Sequence, residues 1–283
     1  MTLHSSWKLV AASVSGELHK LNNIPCQDSS GYYFTNNDFL IAAVSDGAGS
    51  AQNSAKGSKW LVENSINYFK DSIENYPTRN QNSMWSNDEW VDICNRFYTD
   101  TISKLKDFSL NEGIEFDSLA STLILTVKSK TKLFTLNIGD GRAGYRNDKA
   151  EWHPMIIPCK GEEVNSTIFF TSSFIGSSQD FIRTNIIEEN VNAFCLLTDG
   201  LENICFEVNV YDAETEKYID PNKPFKKFLD PCIEELKKLF LKNLPNDKIE
   251  KLWENFLIEG TELIKREPDD KTLILAFDLS QFE

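Results

Sequence analysis

Apolar residues along this chain fall into short runs that end at polar or glycine residues. Such runs are typical of strands that are covered on both faces. Residues 39–44, Phe-Leu-Ile-Ala-Ala-Val, are a clear example, and similar patterns predict further strands. These are residues 7–15, 32–34, 118–128, 132–138, 142–146, 151–153, 167–170, 181–187, 193–198 and 271–277.

Helical spacing of apolar residues appears in two pairs of segments. Residues 59–69 predict an amphipathic helix, and the capping box at 86–89 predicts a second helix that runs to about residue 105. An N-cap at Asp230 followed by Pro231 predicts a third helix, and Asn246 begins a fourth. Strands that do not alternate regularly with helices indicate antiparallel sheets packed together, with the helices outside.

Carboxylates follow three of the apolar runs and precede a fourth. Asp46, Asp140 and Asp199 each stand before a glycine at the end of a predicted strand, and Asp269-Asp270 precede the last strand. Strand ends that are distant in sequence can meet at one edge of a sheet, where crowded aspartates repel one another unless a cation lies between them. Oxygen-only ligands favour Mg²⁺ or Mn²⁺ over zinc. Asp-Gly is also a common hairpin turn, so any single pair has a structural explanation.

Composition restricts the function classes. The chain has 283 residues and a formal net charge of −14, which argues against nucleic acid or an anionic membrane as a partner. Its six cysteines have no CxxC spacing, which indicates reduced, mostly buried thiols. We find no signal-peptide pattern and no linker, so we expect a cytoplasmic protein with a single domain over 1–283.

Six motifs, taken in order, resemble those of the metal-dependent protein phosphatases of type 2C, the PPM family. The similarity is greatest to a bacterial branch with a CQD motif and a DGAGS motif. The matching segments are Gly16-Glu17-Leu18-His19 with Pro25-Cys26-Gln27-Asp28, Val44-Ser45-Asp46-Gly47-Ala48-Gly49, Ala120-Ser121-Thr122, Ile138-Gly139-Asp140-Gly141-Arg142, Leu196-Leu197-Thr198-Asp199-Gly200 and Asp269-Asp270-Lys271-Thr272. They span residues 16 to 272, nearly the whole chain.

The resemblance implies an α+β fold, an αββα sandwich of two antiparallel sheets flanked by helix pairs, with a binuclear Mg²⁺ or Mn²⁺ site. It implies that Asp46 bridges both metals, that the Gly47 carbonyl oxygen binds one, and that Asp199 and Asp269 complete the other. Asp28 would hold metal-bound waters, and these four aspartates form the predicted catalytic set. The assignment of Asp269 rather than its neighbour Asp270 stays open.

The sequence departs from the family pattern at several positions. Where many members have a phosphate-binding arginine, the candidate here is His19, which is either a phosphate contact or a structural histidine. Ala48 replaces the histidine that acts as general acid in eukaryotic members. Asp140 matches a third-metal ligand, but Asn203 stands where the second carboxylate of that site is expected, with Glu202 beside it.

The sequence thus predicts a phosphatase for phosphoserine or phosphothreonine in proteins, with a Ser/Thr kinase as a possible counterpart. Two alternatives are a noncatalytic module of the same fold and a hydrolase of small phosphoesters. A helical insert at about 201–265 and the stretch 161–178 are candidates for substrate selection or partner binding. Residues 77–83 are polar and predict a surface loop.

Overall fold

The computed structural model describes residues 6–75, 85–159, 167–173 and 181–282. The predicted loop at 77–83 and most of the stretch 161–178 lie outside this range. Within it, no helix is long and apolar enough to cross a membrane.

Strands and helices both occur throughout the described chain, and the four long helices form two pairs along the sequence. The strands are β1 (Trp7–Val14), β2 (Ser29–Phe34), β3 (Leu40–Ser45), β4 (Leu123–Lys128), β5 (Leu133–Ile138), β6 (Arg142–Asn147), β7 (Trp152–Pro154), β8 (Arg183–Ile187), β9 (Val191–Leu197), β10 (Phe206–Glu207), β11 (Val210–Asp212), β12 (Lys217–Ile219), β13 (Lys223–Pro224) and β14 (Lys271–Asp278). The α-helices are α1 (Glu17–Leu21), α2 (Ser54–Glu74), α3 (Asn87–Glu112), α4 (Glu202–Cys205), α5 (Lys226–Leu241), α6 (Asn246–Glu259) and α7 (Glu262–Lys265). Short 3₁₀ helices cover Phe116–Leu119, Asp199–Leu201 and Leu279–Phe282.

Two five-stranded sheets form the centre of the molecule. The first has the order β1-β14-β9-β6-β7 and the second has the order β2-β3-β4-β5-β8. Every pair of neighbours is antiparallel. The prediction of antiparallel sheets is therefore confirmed.

Successive side chains of β3 point into two different cores, which explains why the sequence of this strand is apolar throughout. Leu40, Ala42 and Val44 pack into a core between the two sheets, together with residues of β9 and β14. Ile41 and Ala43 point the other way, into a core beneath α2 and α3. Both faces of the strand are buried, so neither has a place for a polar side chain.

A third apolar core covers the opposite side of the molecule. It packs α5 and α6 against the outer face of the first sheet through Ile233, Leu236 and Trp253. The layers therefore follow the order helices, sheet, sheet, helices, which is the predicted αββα sandwich.

The second predicted helix begins as its sequence indicates. The Ser86 side chain accepts a hydrogen bond from the backbone N–H of Glu89, and the Glu89 carboxylate accepts one from the backbone N–H of Ser86. The helix, α3, continues to Glu112, further than predicted, and ends at Gly113 in a left-handed conformation with φ of 66°. Its last turns are largely exposed, so no apolar periodicity marked them.

The predicted start of the third helix was wrong. Helix α5 begins at Lys226, so Pro231 lies inside it and leaves the Lys227 carbonyl without its helical donor. Asp230 is not an N-cap: its Oδ1 atom accepts hydrogen bonds from Arg146 Nε at 3.1 Å and Trp152 Nε1 at 2.8 Å. The carboxylate thus ties α5 to the first sheet, a role that local sequence does not reveal.

Other predictions needed correction near the loops. Residues 167–170 contain a turn and no strand, although Ile168 and Phe170 are buried. The strand predicted to start at residue 118 starts at Leu123, because a 3₁₀ helix precedes it. Two small sheets, β10 with β13 and β11 with β12, occupy part of the segment 201–265, for which only helices were predicted.

Candidate metal site

Sheet topology brings the predicted carboxylates to one edge. Strands β3 and β5 both pair with β4 in antiparallel fashion, so they run in the same direction and Asp46 and Asp140 follow their ends on the same side. In the other sheet, Leu197 at the end of β9 pairs with Leu273 near the start of β14. This pairing places Asp199 beside Asp269-Asp270.

The carboxylates of Asp46, Asp140 and Asp199 form a compact cluster. Each offers an oxygen, and these three oxygens lie within 4.8 Å of one another. All three residues are half-buried. Three strands of two different sheets thus converge on one point, as the strand-end argument predicted for these residues.

Asp46 is held by the segment before β4. Its backbone N–H donates to Thr122 Oγ1 at 3.0 Å, and its carbonyl accepts from the Thr122 N–H at 2.8 Å. Gly47 follows with a buried backbone and a β-bridge to Ser121. The Ala-Ser-Thr motif at 120–122 therefore fixes the direction in which Asp46 leaves the sheet.

Asp140 depends on the glycine before it. Gly139 has φ of +116°, and a Cβ atom there would lie 2.6 Å from the Thr122 side chain, so only glycine fits. Asp140 Oδ2 accepts a hydrogen bond from Thr167 Oγ1 at 2.6 Å. Its Oδ1 atom is buried without a hydrogen-bond partner.

Asp28 lies behind this cluster and is 8% exposed. Its Oδ2 atom accepts a hydrogen bond from Thr198 Oγ1 at 2.7 Å, and Thr198 Oγ1 in turn accepts one from the Thr272 N–H at 3.2 Å. Asp28 is therefore tied to both β9 and β14 next to Asp199. It stands close enough to Asp46 for the two charges to interact.

Burial and mutual repulsion make the ionised form of these carboxylates unfavourable. Burial, followed by the charges of Asp46, Asp140 and Asp269, raises the pKa of Asp199 from 3.8 to about 8. Burial and then the charge of Asp28 also raise the pKa of Asp46 well above its ordinary value. Divalent cations would reverse both effects, and the all-oxygen donor set with one unpartnered oxygen fits Mg²⁺ or Mn²⁺.

The two aspartates before β14 have different surroundings. Asp270 is 3% exposed and accepts hydrogen bonds from the backbone N–H groups of Gly16, at 2.9 Å, and Gln27, at 2.6 Å. Asp269 is exposed, and its charge contributes to the raised pKa of both Asp46 and Asp199. Asp270 thus closes the loop that carries Asp28, whereas Asp269 lies near enough to Asp46 and Asp199 for its charge to act on both.

His19 lies against this loop. Its Nδ1 atom is 2.8 Å from Asp270 Oδ1, at ion-pair distance, and its side chain is 16% exposed. The histidine belongs to the short helix α1, for which no helix was predicted. The sequence left open whether Asp269 or Asp270 binds metal, and it gave no sign of the contact between Asp270 and His19.

Arg142 is buried beside the cluster and does not face it. Its guanidinium donates to Glu202 Oε2 at 2.9 Å, to Asp220 Oδ2 at 2.6 Å and to Asn222 Oδ1 at 2.7 Å. Glu202, a neighbour of Asp199 in sequence, is therefore engaged by an arginine, and Asn203 is exposed.

Gly200, in the motif after β9, lies against the backbone of Asp270, in the motif before β14. A Cβ atom on Gly200 would lie 2.1 Å from the Asp270 carbonyl oxygen, which is backbone and cannot swing aside. We expect Gly200→Ala to displace the loop with Asp269 and to weaken divalent-cation affinity at least about tenfold. Mn²⁺ titration by calorimetry measures this, with Gly113→Ala, where an added Cβ meets nothing within 4 Å, as a control for strain at a distant glycine.

Stability of the metal-free protein should fall as the pH rises. The folded-state pKa of Asp199, about 8, exceeds its unfolded value, so the folded state binds more protons between these two values. The resulting stabilisation is complete below the unfolded pKa and is lost as the pH rises through about 8. Thermal unfolding in EDTA from pH 5 to pH 8.5 should show a falling Tm that Mn²⁺ restores; a Tm that rises over this range in EDTA would contradict the assignment.

Known proteins match this arrangement over almost the whole chain. A family model described as protein phosphatase 2C matches residues 15–245. The chain belongs to the protein phosphatase 2C family. It is therefore a serine/threonine protein phosphatase of the 2C type, a class that depends on Mg²⁺ or Mn²⁺.

Individual 2C phosphatases resemble it at full length. Serine/threonine-protein phosphatase 3 of Escherichia coli K12 is 25% identical over 278 residues, which cover 96% of this chain and 98% of that protein. The solved structure of phosphatase Stp1 from Staphylococcus aureus has a TM-score of 0.55 and 14% identity, covering 98% of this chain and 97% of that one. The catalytic domain of PstP, solved with 2 manganese ions, has a TM-score of 0.54 and 14% identity, covering 96% of this chain and 98% of that one. These structures confirm the αββα fold.

Proposed function

We propose that Asp46, Asp199, Asp269 and the Gly47 carbonyl oxygen hold two Mg²⁺ or Mn²⁺ ions, and that this centre hydrolyses phosphoserine and phosphothreonine in proteins. The observation that carries the proposal is the convergence of carboxylates from separate strands within 4.8 Å. A noncatalytic module would have no need for such a costly concentration of half-buried charge. When bound, the ions supply Lewis-acid activation of a water and neutralise phosphate oxygens.

The chain's own groups then position the reaction. Asp46 would hold both ions, because its carboxylate lies within 4.8 Å of Asp140, which follows the second sheet's β5, and of Asp199, which follows the first sheet's β9. Asp28, oriented by Thr198, accepts hydrogen bonds from the attacking water and fixes its direction. Asp269 is close enough to the cluster for its charge to act on Asp46, while Asp270 keeps the loop closed.

Protein groups for the phosphate and the leaving group are sparse. His19 is proposed as the phosphate contact; its Nδ1 atom lies 2.8 Å from Asp270 Oδ1. Ala48 is 5% exposed and has no proton to offer, so the leaving alkoxide takes its proton from solvent. Slower turnover of substrates with poor leaving groups follows from this arrangement.

Asp140 is proposed as a ligand of a third ion. Its unpartnered Oδ1 atom is free to coordinate, and Thr167 orients the other oxygen. Because Arg142 engages Glu202 and because Asn203 is neutral, this ion would have fewer protein ligands than the other two. We therefore expect it to bind more weakly.

The proposal also covers the substrate, its location and the kinase that phosphorylates it. A net charge of −14 fits neither nucleic acid nor an anionic membrane surface, so we propose a cytoplasmic phosphoprotein as the substrate. A Ser/Thr kinase that forms this phosphoprotein is the implied counterpart. We also propose that residues 1–283 act as one phosphatase domain.

Turnover of a phosphothreonine peptide and of p-nitrophenyl phosphate tests the activity. Both should be hydrolysed with Mn²⁺ or Mg²⁺ and neither with EDTA. Hydrolysis of the small ester alone would favour a small-phosphoester hydrolase. Mn²⁺ binding without hydrolysis of either would favour the noncatalytic module.

A further inference from the structure

A hairpin with exposed apolar side chains follows the segment that carries Asp199. Strands β11 and β12 pair only with each other among the described residues and form a two-stranded sheet. Its apolar side chains are exposed on both faces. They are Val210 at 40%, Tyr211 at 55%, Tyr218 at 74% and Ile219 at 44%.

The two tyrosines form one surface. Tyr211 and Tyr218 are cross-strand partners, and their rings meet edge to face with centroids 5.5 Å apart. The pairing holds both rings in place while leaving them exposed. A preformed aromatic pair in solvent costs little side-chain entropy on binding, as in the anchor residues of protein interfaces.

The hairpin is fixed to the candidate metal site through Arg142. Asp220, directly after β12, and Asn222 both accept hydrogen bonds from the Arg142 guanidinium. Arg142 is two residues after Asp140, and its third partner, Glu202, contributes to the raised pKa of Asp199. One buried side chain therefore connects the base of the hairpin to Glu202, which follows Asp199 by three positions in sequence.

The charge of the hairpin indicates what binds it. Residues 210–219 contain Asp212, Glu214 and Glu216 against one basic residue, Lys217. With an overall charge of −14, this surface disfavours an anionic lipid or a nucleic acid. Two copies of an acidic hairpin would also repel each other. Lysine or arginine on the occupant would complement it.

We infer that hairpin 210–219 is a docking element for the polypeptide substrate, selecting segments with basic residues and one large apolar side chain near the phosphorylated residue. The apolar side chain packs on Tyr211 and Tyr218, and the basic residues face Glu214 and Glu216. The inference rests on the proposed function, because it assigns the substrate class for the same centre.

Binding and turnover must be measured separately. The full-length protein with Mn²⁺ is titrated with a labelled phosphonate analogue of a peptide that carries arginines and a leucine, and fluorescence anisotropy is followed. A second peptide has glutamates in place of the arginines. Turnover of p-nitrophenyl phosphate, which has no peptide chain to bind the hairpin, reports the metal centre alone.

The variants test each part of the surface. Tyr211→Ser with Tyr218→Ser should weaken binding of the basic peptide about tenfold, and Glu214→Gln with Glu216→Gln about threefold, with a reduced salt dependence. Turnover of p-nitrophenyl phosphate should stay unchanged in both. Glu63→Gln with Glu74→Gln, two exposed acidic residues on α2 in the opposite outer layer, is the matched control and should bind as the wild type does.

The outcomes distinguish this inference from the proposed function. Equal binding of the basic and acidic peptides, or wild-type binding by the tyrosine variant, overturns the docking role. Self-association that disappears in the tyrosine variant also overturns it, in favour of an interface between copies. Hairpin-dependent binding of the basic peptide without hydrolysis of any substrate supports docking and refutes the phosphatase centre.

Discussion

Asp46→Asn should lower metal-dependent phosphatase turnover at least about a hundredfold, while raising the stability of the metal-free protein. Asparagine keeps the shape of the side chain and removes one negative charge from the cluster with Asp140 and Asp199. In EDTA at a pH above about 8, where Asp199 loses its proton, this relieves repulsion, so Tm should rise. With Mn²⁺ the bridging carboxylate is lost, so both metal affinity and the rate should fall.

Opposite changes in stability and activity separate this prediction from simple misfolding. Steady-state turnover of a phosphothreonine peptide and thermal unfolding, each with Mn²⁺ and with EDTA, measure both. Asp71→Asn, an exposed aspartate on α2, is the control and should change neither. Wild-type turnover in Asp46→Asn would refute its role as a metal ligand.

Arg142→Leu should destabilise the folded protein by about 1–3 kcal/mol, because the Glu202 and Asp220 side chains that lose their cation are 22% and 38% exposed to solvent. The arginine side chain is 1% exposed and compensates Glu202 and Asp220, so its removal leaves two carboxylates without their cation. Glu202 would then add its full charge to the environment of Asp199. The free energy of unfolding from urea denaturation measures the effect.

An exposed pair provides the comparison for this variant. Arg266 lies 3.1 Å from Glu262, and both side chains are 76% exposed. Arg266→Leu should cost less than about 1 kcal/mol, because water screens and solvates both partners. Equal effects of the two substitutions would mean that the Arg142 network contributes no more than a surface ion pair.

The buried strands and the carboxylate cluster could both be predicted from the residues, whereas the αββα sandwich was implied by the family resemblance. Strand β3 is covered on both faces, so its sequence is apolar until Ser45, and the first carboxylate appears where burial ends. The same reasoning applies to Asp140 after β5 and Asp199 after β9. Each apolar run and the carboxylate after it are adjacent in sequence. These aspartates could therefore be identified without knowing how the strands pair.

The missed features depend on contacts between distant segments. Asp230-Pro231 has the local form of a helix start, but tertiary hydrogen bonds from Arg146 and Trp152 occupy the carboxylate within α5. Asp270 binds Gly16 and Gln27, which are more than 240 positions away in sequence. No local pattern records such partners, and the exposed strands β11 and β12 lack the apolar run by which buried strands were recognised.

The most direct test of the metal site is a crystal of the protein soaked in Mn²⁺ and measured for anomalous scattering. The proposed centre predicts two strong manganese peaks, both in contact with Asp46, one also with the Gly47 carbonyl oxygen and the other with Asp199 and Asp269. A weaker third peak at Asp140 would agree with its proposed role. Absence of peaks at Asp46, with manganese bound elsewhere or nowhere, would contradict the central claim.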